Sequence, residues 1–197
     1  MTSQLEKIIQ KAQVGCLKDR AKERADFCNN ANSIRAAIEL ACKSENVTDG
    51  KLLVHKHQRR VGRIALKEAA RHLIPIASSI EQVADFEHLH GLIDSQIRHV
   101  PRIGDLAIYD ISERIGWFLA VEPTRVFLHA DTLTGARNLL DRKLSKHLDL
   151  SELPDCFQSL SASEIETILC VHKDDWQGQK NSPQNRSRKL TARRKSC

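Results

Sequence analysis

The amino-acid sequence predicts an all-α protein, a multi-helix globule followed by a disordered basic tail, and three observations lead there. Apolar residues recur at spacings of three and four through most of the chain, the mark of amphipathic helices. Ser-x-x-Glu and Ser-x-x-Gln pairs stand where several of those runs begin, as capping boxes do. Hydrophobic residues make up 41% of the 197 but aromatics only 4%, so the core is expected to be aliphatic and base-stacking platforms are not expected.

Taken in order, Ser3 with Glu6 opens a helix whose apolar stripe is Leu5, Ile8, Ile9, Ala12 and Cys16. A second helix is expected over SIRAAIELACKS, with Ile34, Ala37, Ile38 and Ala41 on one face, closed by the turn-forming NVTDG; no long alternating run there suggests a strand. The segment HKHQRRVGRIALKEAARHLI reads as one amphipathic helix ending at Pro75. Ser79 and Gln82 start a further helix lined by Val83, Phe86, Leu89, Ile93 and Ile97 and running to about His99. After the short VPRIGD turn, Ile108, Ile111, Ile115, Phe118 and Leu119 repeat at three and four, giving a helical hairpin over about residues 80–120. TRVFLHA is ambiguous, TLTGARNLLDRKLSKH reads as helix, and EIETILCVH makes a last helix opened by Ser161 or Ser163.

Charge divides the chain. Residues 176–197 carry seven Lys or Arg and no acid, so their +7 leaves −1 for residues 1–175 out of a total of +6. That segment is nearly free of aliphatic residues and is expected to be a disordered tail after a helical domain of residues 1–175. Within the body, Lys51 to Arg71 holds seven Lys or Arg against the single Glu68, and helical projection gathers Lys56, Arg60, Arg63, Lys67 and Arg71 into one stripe opposite Val61, Ala65, Leu66, Ala69 and Leu73. Such a stripe suits a phosphate backbone, and it equally suits a solvated helix face.

The cysteines at 16, 28, 42, 156, 170 and 197 form no C-x-x-C pair, no apolar run approaches the ~18 residues of a membrane span, and the start has no signal-peptide pattern. A soluble cytoplasmic protein with reduced thiols and no membrane partner is expected. No metal or cofactor is expected either: Cys156, Cys170 and His172 are the least unsuited ligands, at a spacing unlike that of zinc ribbons or fingers.

Val100-Pro101-Arg102-Ile103-Gly104, closed by Ile111, resembles the helix-hairpin-helix motif of DNA-repair and DNA-binding proteins, over about 50 residues. The resemblance implies a tight turn that bares backbone N–H groups at the start of the second helix, where they hold a DNA phosphate without reading sequence. Arg102 replaces the family's first glycine, Ile108 its helix-packing alanine, and Asp105 adds a negative charge beside the expected phosphate. A left-handed Arg102 would cost about 1 kcal/mol while offering a phosphate contact. Lyase-type glycosylases of the family carry a lysine two residues after the second glycine and an Asp-x-His; here those positions hold Leu106 and Phe127-Leu128-His129, and Asp131 is poorly spaced to substitute. The resemblance therefore does not extend to base-excision chemistry.

No phosphate-loop lysine motif, nucleophile elbow or H-E-x-x-H occurs. A polar set of Tyr109, Asp110, Arg114, His129 and Arg137 gives either a pocket or an ordinary helix-surface ion pair with Asp110 and Arg114 at i, i+4. The expectation is nonspecific nucleic-acid binding, DNA favoured, by Arg102, Ile103 and Gly104, by the Lys56–Arg71 stripe, and by Arg186, Arg188, Lys189, Arg193 and Arg194 of the tail. The alternatives are a protein-interaction or regulatory subunit whose hairpin only packs, and an enzyme of unrecognised class using His129, Asp110 or Arg137.

Overall fold

The computed structural model describes residues 3–43, 45–48, 51–54 and 60–176. Lys56 and the four tail arginines and one lysine named above lie outside them, as does the expected tail beyond Trp176.

Ser3 caps α1 (Gln4–Val14) reciprocally with Glu6, the Ser3 Oγ accepting from the Glu6 N–H at 3.2 Å, and Leu5, Ile8, Ile9 and Ala12 are buried. The stripe does not continue through Cys16 as expected. Gly15 breaks the helix at φ −111°, ψ −109°, and a separate α2 (Cys16–Asn30) follows. Only Leu17 of α2 is buried, so no apolar period announces it; charges interleave on all sides and tertiary contacts hold it. α3 (Ile34–Lys43) buries Ala37, Ile38, Ala41 and Cys42 as its spacing predicts. The turn-forming stretch beyond it contains a short hairpin, β1 (Glu45–Thr48) antiparallel to β2 (Lys51–Val54).

α4 (Arg63–Leu73) begins eight residues later than the reading from His55, because Gly62 takes φ 86°, outside the helical region. Pro75 sits in a single 3₁₀ turn leading to the short α5 (Ala77–Glu81). The expected helix from Ser79 to His99 is therefore split: Asp85 caps α6 (Phe86–Ile97), its carboxylate accepting from the His88 N–H at 2.7 Å. Residues 98–104 then turn the chain into α7 (Asp105–Leu119).

TRVFLHA resolves as β3 (Val126–Phe127), paired antiparallel with β4 (His147–Leu148). That pairing ends α8 (Ala130–Leu140) short of the expected His147, with Asp141 left-handed at φ 50°. α9 (Ala162–Val171) starts from the Ser161–Glu164 capping box.

Two apolar clusters form the core. One gathers α3 to α7 around Ile38, Leu66, Phe86, Ile93, Ile108 and Ile111; the other gathers α1, α8, α9 and the connections between them around Ile9, Leu139, Leu153, Ile165 and Leu169. Adjacent β3 residues serve opposite clusters, Val126 the second and Phe127 the first, as a two-residue strand period requires. α7 enters the first cluster through Ala107, Ile108, Tyr109, Ile111 and Ile115, while Glu113 and Arg114 on it pair with Arg20 and Glu23 of α2; its residues Ala107 to Trp117 are all buried. Trp176 is fully buried in the second cluster, 6.0 Å from the Phe157 ring, so the packed body extends one residue past the boundary expected at 175. Among the described residues no helix is long and apolar enough to cross a membrane.

His90, half-buried against Phe127 at 4.6 Å, has its pKa lowered to about 4, chiefly because burial strips water from the imidazolium. The unfolded chain, with a value near 6.5, takes up that proton first; His90 therefore contributes a penalty that begins as pH falls through about 6.5 and is complete near pH 4. His90→Phe is expected to remove this contribution: urea midpoints of the variant and the native chain, compared at pH 7 and pH 5, should show a smaller acid loss in the variant. An equal loss would mean that His90 is not the titrating group.

Candidate nucleic-acid interface

The hairpin turn is built by local chemistry. Pro101 presets the second position of a β-turn, and the Ile103 N–H donates to the Val100 carbonyl at 3.1 Å. Arg102 occupies the third position at φ 74°, a left-handed conformation that glycine adopts without strain. Ile103 is buried and its N–H is committed to the turn, so of the expected phosphate donors it anchors the turn and does not face outward. Gly104 precedes α7 in an extended conformation, supplies no side-chain cap, and a Cβ placed on it would meet nothing within 4 Å. The first N–H groups of α7 thus open toward free space.

Arg102 is held across the gap to α4. Its Nη2 donates to the Arg60 carbonyl, and its Nη1 would stand 3.3 Å from a Cβ on Gly62. Arg60 is consequently not part of the helical stripe; it precedes α4 and belongs to the turn. Arg63, Lys67 and Arg71 remain on the exposed side of α4, with Arg71 Nη1 3.1 Å from Glu68 Oε2.

Arg60, Val61, Arg102, Gly104 to Ala107, Asp110, His129 and Ala130 line a cleft of about 330 Å³. The beginnings of α7 and α8 meet there beside the segment that leads into α4, and neither of those two helices has a side-chain cap. Uncapped helix starts carry partial positive charge and unsatisfied donors, so together with two guanidinium groups they form an anion-binding environment. Strain collects at the same place: Arg102 at φ 74° and Ala130 at φ 37° both line the cleft. Nearby acids are partly neutralised. Arg98 bonds Asp105 and holds its carboxyl below the usual range, while Lys173 Nζ lies 2.8 Å from Asp131.

The polar set expected from the sequence separates. Asp110 and His129 do meet at the cleft. Tyr109 is buried against Phe127 and His129, and burial raises its pKa. Arg114 turns away to Glu23 of α2 at 2.7 Å, and Arg137 is exposed on α8, outside the cleft lining. Glu166, 34 and more residues from its partners, was not signalled by any motif: it accepts from Thr132 Oγ1 at 2.6 Å and lies 3.4 Å from His129 Nε2. Glu166 thus stands behind His129, outside the cleft lining, and makes no hydrogen bond to its ring. Cys156, Cys170 and His172 do not come together as a metal-binding group among the described residues; His172 Nδ1 is 2.7 Å from Asp175, and burial pushes the Cys170 thiol up to about 12.

No family model, no curated protein and no solved structure matches this chain.

Proposed function

We propose that the protein binds nucleic acid, DNA foremost, without reading its sequence, seating one backbone phosphate in the cleft where α7 and α8 begin. The observation that supports this reading is the convergence of two uncapped helix starts, those of α7 and α8, with Arg60 and Arg102 around one open cleft. Arg63, Lys67 and Arg71 extend positive charge away from it along α4, and the basic residues beyond 176 add an unspecific attraction that speeds encounter. The resemblance of the turn to the helix-hairpin-helix motif adds DNA as the favoured polymer.

Arg102→Gly isolates the guanidinium, because glycine relieves the left-handed strain. The variant is expected to match the native chain in stability or exceed it by up to about 1 kcal/mol, yet to bind fluorescein-labelled duplex DNA more weakly. Arg102→Glu and Arg60→Glu should each weaken binding by about tenfold at 0.1 M salt and reduce the salt slope by about 1. Anisotropy titrations of the full chain with duplex DNA, single-stranded DNA and RNA make the test. Unchanged affinity in all three variants, together with its loss on removing residues 178–197, would locate binding in the basic segment and leave the body as a protein-interaction module.

A further inference from the structure

We propose that His72 and His99 form a binding site for a borderline divalent cation such as Zn²⁺, Ni²⁺ or Co²⁺, which ties the end of α4 to the start of the hairpin turn. Their Nε2 atoms stand 3.3 Å apart, and the rings lie nearly perpendicular, at 87°. Two imidazole nitrogens each about 2.0–2.1 Å from a common ion at a tetrahedral angle are separated by about 3.3 Å, so the spacing of the two nitrogens already suits a shared ion. His72 is half-buried and His99 exposed, so solvent reaches the pair.

The backbone behind each ring is fixed. His72 precedes the fully buried Leu73, and His99 sits between the buried Ile97 and Val100, whose N–H donates to the Ile97 carbonyl at 3.0 Å. Such anchoring lowers the ordering entropy of binding. Among the described residues no three His, Cys, Asp or Glu side chains already converge on a single point, so the two nitrogens make the core of the site and water completes the shell. Glu68, one turn before His72 on α4, brings the carboxylate within reach: its Oε1 is 3.5 Å from His72 Nε2, while its other oxygen faces Arg71. Imidazole with one carboxylate suits zinc, nickel, cobalt or copper over magnesium or calcium.

The ion would act on the hairpin, because His99 lies three residues before Arg102 while α4 begins at the Gly62 that Arg102 covers. This inference does not depend on nucleic-acid binding. Isothermal titration of the full chain with Ni²⁺ at pH 7.5 tests it, with His72→Ala, His99→Ala, Glu68→Gln and, as a remote exposed histidine, His88→Ala. The strongest site is expected to weaken at least roughly tenfold in each of the first two variants, the loss that even an outer-shell partner's removal can cause, less in Glu68→Gln, and not at all in His88→Ala. Ni²⁺ should also raise the melting temperature of the native chain and of His88→Ala but not of His72→Ala, with circular dichroism confirming that every variant is folded. A native isotherm in either His72→Ala or His99→Ala, or an equal loss in His88→Ala, would overturn the site and leave the pair as an ordinary hydrogen bond between two rings.

Discussion

Gly135→Ala is expected to destabilise the protein by about 4 kcal/mol or more, far beyond what a single methyl group normally does. A Cβ at Gly135 would run into the Leu169 carbonyl oxygen and stand 2.8 Å from its carbon, so α8 meets α9 backbone to backbone at this point. No side-chain rotation can relieve the clash, because the obstacle is the main chain of a helix whose inner face is buried through Ile165, Ile168 and Leu169. The helices must part, opening the second core along its length. A control substitution of the same type should go the other way: Gly91 lies on the exposed side of α6 with nothing within 4 Å of its Cβ position, and Gly91→Ala should stabilise by about 0.5–1 kcal/mol through helix propensity alone. Urea titrations of both variants decide the matter; similar midpoints for the two would mean that the α8–α9 approach is looser than this. Since α8 begins at the cleft, Gly135→Ala should also weaken the nucleic-acid binding proposed above.

Glu113→Ala carries the second large effect, about 3–5 kcal/mol. Glu113 is 2% exposed, pairs with Arg20 of α2 and accepts a hydrogen bond from Ser163 in the first turn of α9, so one carboxylate joins three helices. Removing it takes away the close partner of the Arg20 guanidinium and leaves Glu23 at 3.5 Å and the Trp117 ring, 5.0 Å below. Glu113→Gln, which retains an acceptor for Ser163, should be milder. In the double variant Glu113→Leu, Arg20→Leu both charges go, and stability should return toward the native value. Thermal melts would show this as a drop of roughly 10 °C for the alanine variant and partial recovery for the double one. If Glu113→Ala melts within a degree or two of the native chain, solvent reaches Arg20 more freely than its packing implies.

Sequence periodicity made the hairpin helices legible, since Phe86, Leu89, Ile93 and Ile97 on one side and Ile108, Ile111 and Ile115 on the other are buried where their spacing puts them. The capping boxes at Ser3 and Ser161 were equally plain, because their chemistry is complete within four residues. α2 was hidden: with one buried residue it has no apolar period and depends on partners such as Glu113 and Arg114, some 90 residues away. Helix boundaries failed where single residues take unusual backbone angles, as Gly62 and Asp141 do. At the cleft, the turn around Pro101 and Arg102 could be read locally, whereas the bond from Arg102 to Arg60 and the backing of His129 by Glu166 arise only from folding. Arg114 and Arg137 share a sequence neighbourhood with Asp110 and His129 but point elsewhere, which one-dimensional spacing does not reveal.

The burial of α7 on every side between Ala107 and Trp117 has a consequence for how the molecule comes apart. A helix that packs its apolar side into the first core while Glu113 and Arg114 tie it to α2 and α9 cannot loosen without parting all of them, so its central amides are expected to exchange with solvent only when the body opens. The cleft stands at the first turn of that helix. Its geometry is thus mounted on a wall that opens late, and the phosphate proposed to seat there would meet donors already arranged.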